Sequence, residues 1–160
     1  MDQDLSMLSR EEVSQLEDAF AYIAILIAGA DGKIDPKELA WAEKIAQIRT
    51  FAGDERLKTF HEDVNQNLHS RIESLLNELP NDVSSRSTLI SEKLSGLNSI
   101  LAMLEPYIGA YLYKGYLSFA ERTAKSSGGF LSFFTISSEE KKWIKLPMLN
   151  AIIYNPDEEE

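Results

Sequence analysis

Cysteine is absent from this sequence of 160 residues. Its absence excludes disulfide bonds, thiolate metal sites and thiol redox chemistry. The sequence also lacks a serine flanked by glycines, a phosphate-binding loop and a dinucleotide-binding glycine motif, so no pattern indicates an enzyme. Its two histidines, His61 and His69, are about two helical turns apart, too far to chelate one ion from a straight helix. Both are predicted to lie at the surface.

Positive charge is scarce. Sixteen lysines and arginines stand against 26 aspartates and glutamates, which gives a formal net charge of -10. Nucleic acid and anionic membranes would repel such a chain. The longest apolar run, residues 19–30, is too short to span a bilayer. The acidic N-terminus lacks the pattern of a secretory signal. The sequence therefore predicts a cytoplasmic protein without a transmembrane segment.

Apolar residues at helical spacing are abundant. Residues 16–30 carry them on several faces, which is typical of a central, enclosed helix, and a capping box from Ser9 to Glu12 opens that helix. Similar stripes recur along the chain, and no segment alternates as a strand would. We predict one all-α domain over residues 1–160, a bundle of six or seven helices with an acidic tail at residues 155–160.

The second helix is predicted over residues 36–50. Trp41, Ile45 and Ile48 recur there at helical spacing. We expect these three side chains to form one apolar stripe along the helix.

Two later segments are harder to divide. The apolar pattern after Gly53 fits one long helix or two helices broken near residues 65–70. The last helix is predicted to begin after Ser137 and to reach about Ile153. Pro147 lies inside that range and should kink or split the helix.

The chain is organised around the turn after the first apolar helix. Asp31 and Gly32 favour a turn, Asp35 is a candidate N-cap, and Glu38 is placed to complete a capping box with it. A second stretch near the C-terminus matches this one at four identical offsets: Ile34, Asp35, Glu38 and Trp41 correspond to Ile136, Ser137, Glu140 and Trp143. The match predicts two related helix–turn–helix units, residues 16–50 and 112–153.

These turns resemble a known family. Residues 30–35, Ala-Asp-Gly-Lys-Ile-Asp, followed by Glu38, resemble the first turn of TerB-like, tellurite resistance-associated proteins, and residues 124–131 and 136–141 resemble their second turn. The resemblance implies an all-helical domain of bacterial type, linked to tellurite resistance or stress response. It also implies metal binding through clustered acids, and no enzymatic reaction. The second turn has Gly128 where the first has Asp31, which argues against an acidic site at that turn.

Asp31, Asp35 and Glu38 are the candidate metal ligands. With Gly32 as the sixth position of an EF-hand loop, they fall at positions five, nine and twelve. Positions one and three carry no side-chain oxygen, so the expected site is weak, with Ca²⁺ as the first candidate cation. Turn formation and helix capping by the same residues is the simpler interpretation.

A loop after the predicted tyrosine-rich helix contains four large apolar residues: Phe130, Leu131, Phe133 and Phe134. With Tyr111 they offer an apolar ligand pocket or a homodimer contact, because four such residues would be costly to expose. The simpler interpretation is that they close one end of the bundle. The sequence thus predicts a non-enzymatic TerB-like binding module. A small-molecule or lipid-binding helical protein and a dimeric interaction scaffold are the alternatives.

Overall fold

The computed structural model describes residues 2–125 and 138–158. Its helices are α1 Arg10–Ala28, α2 Pro36–Ala52, α3 Lys58–Glu78, α4 Val83–Ser95, α5 Leu97–Met103, α6 Pro106–Ala124 and α7 Ser138–Ile144. The described part of the chain contains no strand, which confirms the all-α class. Only Gly96 separates α4 from α5, so this part holds six or seven helices according to whether that pair is counted as one. None of the described helices combines the length and apolar character that a membrane span requires.

Helix α1 is the centre of the bundle. It packs against α2, α3, α4, α6 and α7, and eleven of its nineteen residues are buried. The predicted capping box opens it: the Ser9 hydroxyl accepts a bond from the Glu12 amide, and the Ser9 amide donates to the Glu12 carboxylate. The prediction of a central, enclosed helix is confirmed.

An aromatic cluster joins α1 to α6. The ring of Phe20 lies 4.9 Å from that of Tyr116 and 5.1 Å from that of Phe119, measured between centroids. The Tyr116 hydroxyl donates a 2.7 Å hydrogen bond to the Leu16 carbonyl. These contacts combine burial with a satisfied polar group, so they fix the position of α6 along α1.

Of the three residues in the predicted apolar stripe of α2, only Ile45 is buried. Ile45 is 2% exposed, but Trp41 and Ile48 are 43% and 44% exposed. The cause is the packing of α2, whose small Ala42 and Ala46 face inward beside Ile45 and allow close approach to the neighbouring helices. Trp41 and Ile48 are left on the outer side.

The last helix is shorter than the sequence predicted. Helix α7 ends at Ile144 rather than near Ile153. Buried Leu146 then adopts a positive φ of 44°, and its amide donates to the Trp143 carbonyl. Pro147 cannot continue the helix because it lacks an N–H and disfavours helical geometry at the residue before it. Helix α3, in contrast, runs unbroken through residues 65–70.

Candidate functional site

The turn after α1 is tightly built. The Gly32 amide donates to the Gly29 carbonyl at 3.0 Å, and the Asp35 amide donates to the Ala28 carbonyl at 3.0 Å. Gly32 has a φ of +101°, a backbone angle that residues other than glycine rarely adopt. The chain therefore returns onto the end of α1 before α2 begins.

Arg86, in the first turns of α4, holds this turn from the other side. Its side chain is buried, and it donates hydrogen bonds to the carbonyls of Gly29, at 2.9 Å, and Asn81, at 3.2 Å. The guanidinium thus sits at the carbonyl end of α1, where the helix dipole favours positive charge. No sequence pattern marked Arg86, because its partner lies on a distant segment.

Asp31 and Asp35 serve the backbone of the turn. One oxygen of Asp31 accepts from the Lys33 amide at 3.1 Å, and one oxygen of Asp35 accepts from the Lys37 amide at 2.9 Å. Asp35 is the N-cap of α2, as predicted. Within the described residues the second oxygen of each carboxylate makes no hydrogen bond, so capping and cation binding do not compete for the same atoms.

Glu38 does not form the predicted capping box. The Asp35 amide that it would accept from is already bonded to the Ala28 carbonyl, and Glu38 instead faces inward and is 4% exposed. Its Oε2 atom finds no hydrogen-bond partner within the described residues. Burial, followed by the charges of Glu140, Asp35 and Asp31 in that order, raises the pKa of Glu38 to about 8.

Glu140 brings a second buried carboxyl group to this place. It lies on α7 and is 7% exposed. In the sequence it occupies the position that matches Glu38, three residues after the residue predicted to cap the helix, and that shared offset was the signal that could have pointed to it. The charge of Glu140 acts on Glu38 and helps to raise its pKa. Two buried carboxyl groups that influence each other in this way disfavour a state in which both are charged, and a proton or a cation on Glu38 relieves the repulsion.

The three predicted ligands are not gathered into a finished metal site. Asp31 is exposed and Asp35 half-buried on the turn, whereas Glu38 points into the bundle. Across residues 2–125 and 138–158, no group of three or more histidine, aspartate or glutamate side chains is already arranged to hold a metal ion. Of the acidic side chains around this turn, Glu38 and Glu140 are the two that are buried.

Tyr111 belongs to a polar network rather than to an apolar surface. Its hydroxyl accepts from the Asp54 amide at 2.9 Å and lies 3.1 Å from Nε2 of His61. Tyr107 donates to the Asp54 carboxylate at 2.6 Å. The predicted companions of Tyr111 all fall outside the described residues: Phe130, Leu131, Phe133 and Phe134. An apolar pocket or dimer contact formed with them stays a prediction.

The two histidines differ. His61 is 4% exposed, so its predicted surface position is wrong; it lies on the face of α3 that meets Tyr111 of α6. Burial, and then the charge of Arg49, lowers the pKa of His61 to about 4, so the ring is neutral at pH 7. His69 is exposed, as predicted, and contacts Glu43 of α2 and Glu73 of its own helix.

Comparison of the chain with protein-family models, curated proteins and solved structures found no match. The TerB-like resemblance therefore stays a prediction that rests on the residues of the two turns. Among the described residues, the buried carboxyl groups of Glu38 and Glu140 are the main candidate for a binding site.

Proposed function

We propose that this chain is a non-enzymatic, cytoplasmic TerB-like binding module that serves tellurite resistance or stress response in a bacterial cell. Its ligand is a divalent cation, held by Glu38 of α2 and Glu140 of α7. The observation that carries the proposal is the Oε2 atom of Glu38, a buried carboxyl oxygen without a hydrogen-bond partner in the described residues. Buried polar groups are nearly always satisfied, so an unsatisfied one calls for a ligand or a proton.

The donor set suits a hard cation. Glu38 and Glu140 supply buried carboxyl oxygens, and Asp31 and Asp35 each keep one oxygen that the turn does not use. Ca²⁺ prefers oxygen ligands and tolerates irregular geometry, so it fits better than Mg²⁺, which demands a near-ideal octahedron. A divalent charge would also stabilise the ionised form of Glu38, which burial and then the neighbouring carboxylates disfavour.

The two related units of the sequence explain why two glutamates would contribute to one site. Each unit supplies one glutamate at the same offset after its predicted capping residue, Glu38 from the first and Glu140 from the second. In this proposal the units pack so that the two glutamates meet. The departure at Gly128 then matters little, because the second unit contributes its glutamate and not its turn.

A shared proton is the competing occupant. With a pKa of about 8, Glu38 holds a proton at neutral pH, and a cation has to displace it. Metal affinity should therefore rise with pH, since carboxylates bind metals only when deprotonated. This dependence separates a cation bound at Glu38 from one bound loosely to the acidic surface.

Thermal unfolding tests the proposal. The wild type, Glu38→Gln and the matched control Glu139→Gln would be melted at about pH 8 in chelator and in millimolar Ca²⁺, Mg²⁺ or Zn²⁺. Glu139 is exposed and adjoins Glu140. A ligand at about a hundredfold excess over its Kd stabilises by about 2.7 kcal/mol, so Ca²⁺ should raise the melting temperature of the wild type and the control.

The Glu38→Gln variant should show no such rise. If no cation moves the melting temperature of any of the three proteins, the pair is held by a proton and the cation proposal is wrong. If Ca²⁺ stabilises all three equally, it binds elsewhere on the acidic surface.

A further inference from the structure

The outer side of α2 carries a stripe of cationic and apolar side chains. Trp41, Ile48 and Phe51 are 43%, 44% and 86% exposed, and Lys37 and Lys44 lie between and beside them, also exposed. The five positions are spaced by four, three, four and three residues, which places them within about a quarter of the helix circumference. We call these five residues the α2 stripe.

The stripe is separate from the packed face of the same helix. Ala42, Ile45 and Ala46 are buried and face the bundle, where α2 packs against α1, α3 and α6. Exposed tryptophan and phenylalanine in one row form an apolar patch, and such patches on soluble proteins mark interaction surfaces. Phe51, the most exposed of the three, buries little of its ring within the fold.

The charge of the stripe differs from that of the whole chain. The only carboxylates of α2 are Glu38, which is buried, and Glu43, which bonds to His69 of α3. Within the described residues neither Lys37 nor Lys44 takes part in an ion pair. A protein with a net charge of -10 thus presents, in the part of the chain that the structure describes, two lysines without an ion pair beside the exposed rings of Trp41 and Phe51.

A second copy of this chain fits the stripe poorly. Symmetric dimers bury the same patch on both partners. If two α2 helices met antiparallel along the stripe, its middle residue, Lys44, would face Lys44 of the other copy. Like charges opposed in this way are destabilising. A carboxylate in the centre of the partner would remove that repulsion.

We propose that the α2 stripe binds an acidic amphipathic helix of a partner protein. Apolar side chains at helical spacing on that helix would cover Trp41, Ile48 and Phe51, as in other helix-in-groove complexes. Carboxylates flanking them would pair with Lys37 and Lys44. An anionic membrane is a worse match, since two lysines do not offset the net charge of the chain. This inference does not depend on the cation site.

A charge-swap experiment tests it. The probe is a labelled synthetic helix of roughly 18 residues, about five turns, with leucines every third and fourth residue and glutamates beside them. A second probe has lysine at every glutamate position, and a third has the acidic sequence scrambled. Fluorescence anisotropy would follow binding to the full chain, to Phe51→Ser and to Lys44→Glu. Met103→Ser and Lys114→Glu, which also change exposed residues, serve as controls, and circular dichroism would verify that each variant is folded.

The acidic helix should bind the wild type and both controls, and bind Phe51→Ser and Lys44→Glu at least about tenfold more weakly, a loss of about 1.4 kcal/mol. Lys44→Glu should in turn prefer the lysine probe. Four results would each overturn the inference. The first two are an acidic helix that binds no better than its scrambled form, and a Lys44→Glu variant that binds the acidic helix as the wild type does. The third is a dimer in sedimentation that Phe51→Ser abolishes. The fourth is binding to vesicles of phosphatidylcholine and phosphatidylglycerol that depends on Phe51.

The chain's own apolar residues are the remaining competitor. If the acidic helix binds only after Phe130, Phe133 and Phe134 are replaced by serine, the stripe is covered from within the chain. That result would also overturn the proposal of a partner in trans.

Discussion

The guanidinium of Arg86 donates a 2.9 Å hydrogen bond to the carbonyl oxygen of Gly29, 57 residues earlier in the chain. The bond is buried, and the positive charge lies at the carbonyl end of α1. It ties α4 to the turn that carries Asp31 and leads into α2. A Cβ on Gly29 would lie 2.7 Å from this guanidinium and 2.6 Å from Ile34. The close approach explains why the smallest residue stands there.

Replacing Arg86 by methionine should destabilise the fold by about 1.5–3 kcal/mol, the usual cost of losing hydrogen bonds to a charged group. The methionine keeps most of the buried volume but leaves the end of α1 without its cation. Urea unfolding at neutral pH would measure the change in the free energy of unfolding. Arg122→Met, an exposed arginine of α6, is the control and should stay within about 0.5 kcal/mol of the wild type. An equal loss in the free energy of unfolding in both variants would show that the hydrogen bonds of Arg86 to the end of α1 do not stabilise the fold.

Gly32→Ala should cost about 1–2 kcal/mol through the backbone alone. Gly32 has a φ of +101°, and a Cβ built there would meet nothing within 4 Å, so no steric contact confuses the result. The matched control is Gly96→Ala, where φ is -63° and alanine should be neutral or stabilise by up to about 1 kcal/mol. Thermal unfolding of the two variants checks the pair. A Gly32→Ala protein as stable as the Gly96→Ala protein would mean that the turn relaxes freely.

Glu38 should make the protein less stable as the pH rises from about 4.5 to about 8. Over that range the folded state, with its raised pKa for Glu38, holds a proton that the unfolded state has already released. Stability therefore falls with increasing pH. Glutamine cannot titrate, so the Glu38→Gln variant lacks this pH dependence. In chelator, its free energy of unfolding relative to that of the wild type should rise by on the order of 3 kcal/mol between about pH 5 and about pH 9.

Urea unfolding of both proteins across this pH range would measure the gain. Burial and the charges of Asp63 and Asp18 raise the pKa of Glu17 to about 7, so the wild type has a second source of pH dependence. The difference between wild type and variant removes it, because Glu17 is unchanged. Parallel stability curves for the two proteins would contradict the assignment of a buried, protonated Glu38.

The helices could be predicted because their signals are local. The capping box of Ser9 and Glu12 and the N-cap Asp35 each depend on residues three or fewer positions apart, and each is present. The end of the last helix was misjudged because Pro147 stops a helix more often than it kinks one without support from neighbouring helices. Local rules thus give the elements but not their exact ends.

The site was predictable only in part. The sequence pointed to Asp31, Asp35 and Glu38, but it assigned Glu38 to capping because nothing local shows that the Ala28 carbonyl already holds the Asp35 amide. The inward turn of Glu38 and the contact of Arg86 both depend on helices that meet across the bundle. Such contacts leave no periodic trace in the sequence.

Calorimetric titration of Ca²⁺ into the wild type tests the central claim most directly, because it measures the displaced proton as well as the bound ion. The titration would be run near pH 7 in two buffers with different ionisation enthalpies. The account predicts one Ca²⁺ per chain, with a proton released into the buffer as Glu38 ionises, and neither heat nor proton release in Glu38→Gln. Binding without proton release, or binding that survives the Glu38→Gln change, would contradict a cation held by the buried pair of Glu38 and Glu140.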